Sequence, residues 1–297
     1  MTRLRRRVWF AALLLAAAGA VSAADEAPAP NGAPDATHPA LRLPQPGHVE
    51  YPDGSEGFLM PDTLPFGGGE ILDYEIQYGV MSVGRARLET REVETHRGRR
   101  VLGLMSRARS AKWIDSVYKV RDEISSLLDL DTLTSLRFEK HLREGNYESD
   151  LVAEYYQDEG VARYADGSES ELMPGSQDIL SALFTLRAFP LREGMVLHIP
   201  VHDGKKSYPL RVAVVGREQV ETPMGRFDCL VLEPTLQSQG LFKSEGRMLI
   251  YVSDDSRRLP VKLKARAPVG AFTSELRTYR AGGSLEAPAE DALDEAP

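Results

Sequence analysis

Between Pro65 and Arg280 polar and apolar residues alternate with a period of two, the pattern of strands that bury one face. In LDYEIQY, Leu72, Tyr74, Ile76 and Tyr78 share one face and Asp73, Glu75 and Gln77 the other. Leu136, Phe138, Lys140 and Leu142 repeat the pattern. Beyond the turn signal REGN come Tyr147, Ser149, Leu151, Ala153 and Tyr155, which predicts a hairpin. Met195, Leu197, Ile199 and Val201 face Tyr208, Leu210, Val212 and Val214 across HDGK, whose Asp203-Gly204 is the strongest short hairpin signal in the chain. Further strands are predicted over 85–93, 101–109, 118–127, 226–233, 247–253, 260–266 and 270–279. About a dozen strands result, more than a flat open sheet holds without curling or splitting.

One segment departs from this period. SQDILSALFTLRAFP places Ile179, Leu180, Leu183, Phe184 and Leu186 at helical spacing, with Ser176 as N-cap and Pro190 as stop. It predicts a single long amphipathic helix, and SAKWID over 110–115 predicts a shorter helical turn. The expected fold is mainly β: a large curved antiparallel sheet or open barrel of about a dozen strands, wrapped around or plugged by that helix. A parallel sheet would need crossover helices, which the pattern lacks.

The ends of the chain have another character. Residues 1–23 set four arginines before an apolar run from Val8 to Val21 and close on small residues, the layout of a secretory signal peptide cleaved after Ala23. RRRVWF partly matches a twin-arginine signal but lacks the preceding Ser or Thr, which favours export in the unfolded state. The apolar run is too short to span a bilayer and no second one of about 18 residues follows, so no transmembrane segment is expected in the mature chain. A lipoprotein would need a cysteine at the cleavage point, and the lone Cys229 lies far from it. Residues 24–64, rich in Pro, Ala and Gly, read as a disordered tether, and 281–297 as a disordered acidic tail, leaving one domain over 65–280.

Charge narrows the partners. The formal charge is −8, or −12 once the four leader arginines are removed. Seven acids against one base in the tether, and five acids against none in the tail, leave the domain near −1. A near-neutral domain lacks the concentrated basic face that phosphate backbones require, so no nucleic-acid partner is expected, and the acidic ends serve solubility.

Signatures of catalysis are missing. GVMSVG around Ser82 has the wrong spacing for a nucleophile elbow and reads as a turn between strands. FGGGE, 66–70, opens onto a strand, whereas a phosphate cradle opens onto a helix. The six histidines form no H-E-x-x-H; His198 and His202 near Asp203 read as a polar outer strand face, with a surface divalent site as the alternative. Asp254 and Asp255 read as turn formers. No catalytic residue, metal or cofactor is assigned. Arg85, Arg87 and the hairpin tip RGRR at 97–100 make a basic edge suited to lipid head groups or anionic polysaccharide, or an ordinary solvated face neutralised by nearby acids. Trp113, Tyr118, Tyr155 and Phe184, with Tyr156, either line an apolar ligand cavity or belong to the core; the first four are the candidate ligand-binding residues.

The lone cysteine sits in MGRFDCLVLEP, where Phe227, Cys229 and Val231 share one face and Leu230 and Leu232 the other. Both faces are apolar, so Cys229 is expected to be a small buried hydrophobe, an intermolecular disulfide being the alternative. TPMG supplies the tight turn before it.

GEILDYEIQYGVMSVGRARLE, KWIDSVYKVRDEISSLLD, TPMGRFDCLVLEP and GLFKSEGRMLIYVSDDSRRLPVKLKARAPVGAFTSEL together resemble, in order and spacing, the exported bacterial family named domain of unknown function 3108. QDILSALFTLR lies in its expected place between the second and third stretches. The resemblance implies a Gram-negative envelope protein, rich in β structure and without established catalytic residues. MLIYVSDDSRRLPVKLK is also similar to a hairpin of periplasmic lipoprotein carriers, whose curved sheet packs around helices and shelters acyl chains. The expectation is a non-enzymatic periplasmic protein that binds an apolar or amphipathic envelope component (lipid, lipoprotein or glycan) or scaffolds envelope proteins. One alternative is an enzyme of cell-wall or outer-membrane polysaccharide using acids such as Asp115, Asp122, Glu123 or Glu139. Another is a structural interaction module with a filled core and an exposed apolar patch or sheet edge.

Overall fold

The computed structural model describes residues 47–59, 61, 63–236, 247–267 and 270–285. The expected signal peptide, the tether before 47 and the tail beyond 285 lie outside the described residues. Among the described residues the strands are β1 (His48–Glu50), β2 (Glu56–Phe58), β3 (Ile71–Tyr78), β4 (Met81–His96), β5 (Arg99–Ser110), β6 (Arg121–Asp129), β7 (Ser135–Glu144) and β8 (Tyr147–Tyr156). They continue as β9 (Val161–Tyr164), β10 (Glu169–Glu171), β11 (Val196–Asp203), β12 (Lys206–Thr222), β13 (Gly225–Leu236), β14 (Met248–Ser253), β15 (Pro260–Ala267) and β16 (Gly270–Arg280). The helix α1 (Ile179–Ala188) lies between β10 and β11.

All sixteen strands join one antiparallel sheet in the order β10-β9-β8-β7-β6-β5-β4-β3-β16-β15-β14-β13-β12-β11-β1-β2. The long strands are those the alternation predicts; the four added beyond a dozen, β1, β2, β9 and β10, are three or four residues long. Two of them fall inside the segment read as a tether, because β1 pairs with the remote β11 and buries Val49 completely. Outward Val215 marks a bulge in β12, and a second bulge lies between Thr90 and Val93 of β4. Such bulges bend the strands and help the sheet curl.

Curling brings the β9–β10 edge against the β11–β12 hairpin without a ladder between them. Gln177 N–H donates to the Pro200 carbonyl (2.9 Å) and His202 N–H to that of Gln177 (2.8 Å), a single parallel bridge. Tyr164 Oη lies 2.6 Å from His202 Nε2 and Ser207 Oγ 2.7 Å from its Nδ1. The sheet is barrel-like but not closed by strand pairing.

The long amphipathic helix is not what forms. α1 has ten residues, and all eight from Leu180 to Arg187 are buried, so it has no solvent face. It plugs the curve of the sheet against β5, β6 and β11. Asp178 replaces Ser176 as N-cap, accepting from Leu180 N–H (2.8 Å) and Ser181 N–H (2.9 Å), while its second oxygen takes the hydroxyls of Ser126 and Ser135. Burial raises the Asp178 carboxyl, and these four donors oppose the shift. At the other end Arg187 makes a bidentate pair with Glu70 at 2.7 and 2.9 Å, both side chains buried. Its guanidinium also donates to the Arg258 carbonyl (3.1 Å) and lies 5.2 and 5.4 Å from the ring centroids of Phe66 and Phe184. Phe189 is extended ahead of Pro190, which ends the helix where expected. Among the described residues no helix is long and apolar enough to cross a membrane.

The hairpins follow the turn signals, with one slip of register. Gly204-Lys205, both at positive φ, form the β11–β12 turn, whereas HDGK points to Asp203-Gly204. Asp203 is drawn into the strand because its buried carboxylate accepts from Lys140 Nζ at 3.1 Å. The TPMG turn before β13 forms as predicted, with Thr222 opposite Gly225.

Candidate functional site at one rim of the sheet

Successive turns of an antiparallel sheet alternate between its two ends. The end opposite the one where Arg187 pairs with Glu70 carries the Gly79-Val80 turn, the 111–120 connection between β5 and β6, and the Gly145-Asn146 turn. Among the described residues, four of the seven exposed large hydrophobic ones gather there: Val80 (98%), Val117 (85%), Trp113 (58%) and Met81 (48%). They stand on two loops that are bonded together. Ala111 N–H donates to the Val83 carbonyl (2.8 Å), and Trp113 Nε1–H to that of Ser82 (3.2 Å).

The predicted helical turn forms here: Asp115 N–H reaches back to the Ala111 carbonyl and Tyr118 N–H to that of Ile114. Trp113 and Val117, four residues apart, therefore share its outer face, while buried Ile114 anchors it. Asp115 is held by Ser110 Oγ (2.6 Å) and by Arg121, whose Nη2 is 2.6 Å away. Arg109, Lys112 and Lys119 are exposed on the same segment and join no ion pair among the described residues. Tyr118 lies over Gly145, where a Cβ would come within 2.9 Å of its ring, so that turn needs glycine for space as well as for its φ of +59°. Tyr147, also partly exposed, extends the patch onto β8.

Behind Tyr118 the interior is acidic. Burial pushes the Asp122 carboxyl up to about 6, and burial together with the Asp122 charge pushes Glu144 up to about 7. Tyr118 rises to about 12, from burial and then from Glu144 and Asp122. Asp122 Oδ1 accepts from Arg143 N–H (2.9 Å), and its buried Oδ2 has no hydrogen-bond partner among the described residues. A second polar cluster lies where β9 and β10 meet β11: Lys140 with Asp203, and His202, which burial lowers to about 4 and so keeps neutral.

Of the four candidate ligand residues, Trp113 and Tyr118 come together at this rim. Tyr155 is in the core, its hydroxyl on the His202 carbonyl (3.1 Å), and Phe184 is in α1, edge-on to Phe66 at 5.4 Å. Tyr156 lies between the guanidinium groups of Arg97 and Arg163, at 4.4 and 4.2 Å. The candidate acids are dispersed among partners: Asp115 with Arg121, Glu123 with Arg107, Glu139 with Arg137, and Asp122 beside Glu144. His198 and His202 do not form a polar outer face; both are buried, His198 against Glu50 (2.6 Å) and His202 against Tyr164. Asp255 caps its own turn through Ser253 and Arg257. The basic edge is largely neutralised, Arg87 by Asp73, Arg99 by Asp129 and Arg107 by Glu89 and Glu123. A groove of about 360 Å³ on the outer face of β4 to β7 mixes both signs of charge, with Arg91 and Arg137 beside Glu94, Glu123 and Glu139. Cys229 is buried, and burial with nearby acids pushes its thiol up to about 12. Sequence reasoning misses Val80, Met81 and Val117, because they fall in or beside predicted turns, where a single apolar residue carries no sign of its exposure.

The profile of a family described as "Protein of unknown function (DUF3108)" matches residues 73–277. A comparison with curated proteins finds none that matches. The crystal structure of a β-barrel-like protein of domain of unknown function DUF1849 from Brucella abortus superposes with a TM-score of 0.52 at 11% identity, covering 74% of this chain and 100% of that one. That likeness concerns the fold alone. Looser matches are an exported-protein candidate with a YmcC-like fold from Bacteroides fragilis (TM-score 0.28, 12% identity, 74% of this chain and 100% of that one) and a candidate lipoprotein from Parabacteroides distasonis (0.33, 11%, 73% and 99%).

Proposed function

The chain belongs to the DUF3108 family of proteins of unknown function, and from that premise we propose that it is a non-enzymatic periplasmic protein. It engages an apolar or amphipathic envelope component, a lipid, lipoprotein or glycan, and does so at the rim built on 79–83 and 109–120 rather than inside the sheet. The observation that carries this reading is the inversion of a carrier's layout. Eight consecutive buried helical residues and the Glu70–Arg187 pair occupy the curve where acyl chains would lie, while apolar side chains are presented outward at the opposite end. Exposed apolar side chains grouped on two loops that are bonded together support an interaction site. The signal-like leader supports delivery to the periplasm.

Fractionation of cells into periplasmic and envelope material tests the reading. Wild-type protein should be retained on envelopes, and Val80→Asp/Val117→Asp should cut the retained share about fivefold with an unchanged melting temperature, since both residues are exposed. Equal retention of the two proteins would refute the assignment of the rim. Mass spectrometry of lipids released by denaturing extraction is the complementary check: a stoichiometric acyl lipid would restore the interior-carrier alternative.

A further inference from the structure

We propose that the occupant of this rim is the surface of an anionic phospholipid leaflet, entered by the tips of two loops. The inference rests on the preceding reading of the rim as the working surface and names its partner. Shape is the first argument. Val80 stands on a two-residue turn with almost its whole side chain in water, and Val117 projects from a helical turn, so the patch is a pair of convex points instead of a groove that would receive a partner's side chain. Points with apolar ends suit a fluid, deformable surface, whereas protein interfaces concentrate affinity in well-packed pockets.

The second argument is the orientation of Trp113. Its Nε1–H is already bonded to the Ser82 carbonyl at 3.2 Å, so the indole's polar edge faces the protein and the exposed remainder of the ring is apolar. Entering the headgroup boundary then strands no donor. Tyr147 and half-buried Tyr118 stand behind it, the residue types that favour the level between water and acyl chain.

Charge supplies the third argument. The chain carries −8 overall, which on its own repels an anionic leaflet. Yet Arg109, Lys112 and Lys119 are exposed on the segment that carries Trp113 and Val117 and join no ion pair among the described residues, while Asp115 on the same segment is paired with Arg121. A local group of cations on an acidic protein is complementary to lipid phosphates, and an isolated hydrophobic insertion would hold only weakly without it. The platform is also stiff: buried Ile114 and the backbone bonds from Ala111 to Val83 and Asp115 to Ala111 hold the tips before any membrane is met.

Trp113 is itself the reporter, since the second of the two tryptophans, Trp9, lies in the leader. Protein recovered from the periplasm is titrated with vesicles of phosphatidylglycerol and phosphatidylethanolamine, and with vesicles of phosphatidylcholine alone. Each signal is taken as the difference from the Val80→Asp/Val117→Asp protein, which cancels any contribution from a retained leader. The expected result is a blue shift of Trp113 emission on the anionic vesicles and its quenching by brominated acyl chains. Affinity should be at least about tenfold lower for phosphatidylcholine or in 0.5 M salt, and Lys112→Ala/Lys119→Ala should weaken binding about 25-fold, roughly fivefold for each cation. No shift on anionic vesicles, or equal binding by the aspartate variant, would overturn the inference. If envelope retention still depends on Val80 and Val117 while pure vesicles are not bound, the rim remains the working surface and its partner is a protein or glycan.

Discussion

Replacing Arg187 by methionine tests whether the plug holds the fold together. The substitution keeps a long flexible side chain of similar reach but removes both bonds to Glu70 and the donors to the Arg257 and Arg258 carbonyls. Glu70 is then a buried carboxylate without its cation, and breaking such a pair from one side costs about 3–5 kcal/mol. The contacts of the guanidinium with Phe66 and Phe184 fall within that range, since contributions of groups in contact do not add. For a domain of this size each kcal/mol lowers the melting temperature by roughly 2–4 °C, so a fall of about 6–20 °C is expected. Glu70→Gln/Arg187→Met removes the stranded charge, and replacing a buried pair with neutral groups is often close to neutral. The double variant should therefore recover at least about 2 kcal/mol relative to Arg187→Met alone. Urea unfolding followed by far-ultraviolet circular dichroism gives the four free energies of the cycle. A single variant losing under about 1 kcal/mol, or a double variant whose cost is the sum of the two singles, would refute the view that this pair is desolvated and coupled.

Three further outcomes follow from the same structure. Cys229 should resist a maleimide or disulfide reagent in the native protein and react stoichiometrically in 6 M guanidinium, because it is buried and its thiol is pushed up to about 12; rapid native labelling would contradict both. Asp122 and Glu144 bind their protons more tightly in the folded state, at about 6 and about 7. Their contribution is therefore complete below the ordinary carboxyl range near pH 4 and is lost as pH rises through about 7. The urea midpoint of Glu144→Gln should accordingly fall less than that of wild type between pH 5 and pH 8, and parallel profiles would count against a buried acid pair. Asp178→Ala should cost about 2–4 kcal/mol, the cap plus the orphaned hydroxyls of Ser126 and Ser135, with Asp178→Asn milder because it keeps the cap. Equal losses from the two substitutions would assign the effect to charge instead.

What the sequence discloses depends on whether the deciding contact is local. Period-two alternation is carried by a strand alone, so β3 to β8 and β11 to β16 are legible, down to the faces of Leu136 and Tyr155. A three-residue strand such as β1 or β10 has no period to read, and exists because β11 or β9 offers it a ladder. The misjudged features are decided at long range. Asp203 leaves its turn for Lys140, 63 residues away, and shifts the hairpin by one position. Ser181, Thr185 and Arg187 make α1 look amphipathic, since a polar residue reads the same whether it faces water or, like Arg187, a buried carboxylate 117 residues away. Trp113 stands out as an aromatic on a lysine-flanked turn, whereas Val80 and Val117 acquire meaning only from their exposure.

These long-range contacts also explain how an unclosed sheet presents a stiff rim. Strand pairing leaves β10 and β2 as edges, so the bulges bend the sheet without fixing how far it curls. The connection between β10 and β11 does so instead: Gln177 bridges to β11, Asp178 takes hydroxyls from β6 and β7, and Arg187 ties the far end of α1 to Glu70 ahead of β3. Three strands and the segment leading into a fourth are thereby fixed to the two ends of one ten-residue helix. The interior is spent on this bracing, and the same bracing sets the separation of the strand ends on which the 79–83 and 109–120 loops are mounted. A destabilised plug such as Arg187→Met should thus weaken binding at the opposite rim without touching it. In the alternative, where the loops are held only by their mutual bonds between Ala111 and Val83 and between Trp113 and Ser82, vesicle affinity at a temperature where the variant is still folded would equal that of wild type.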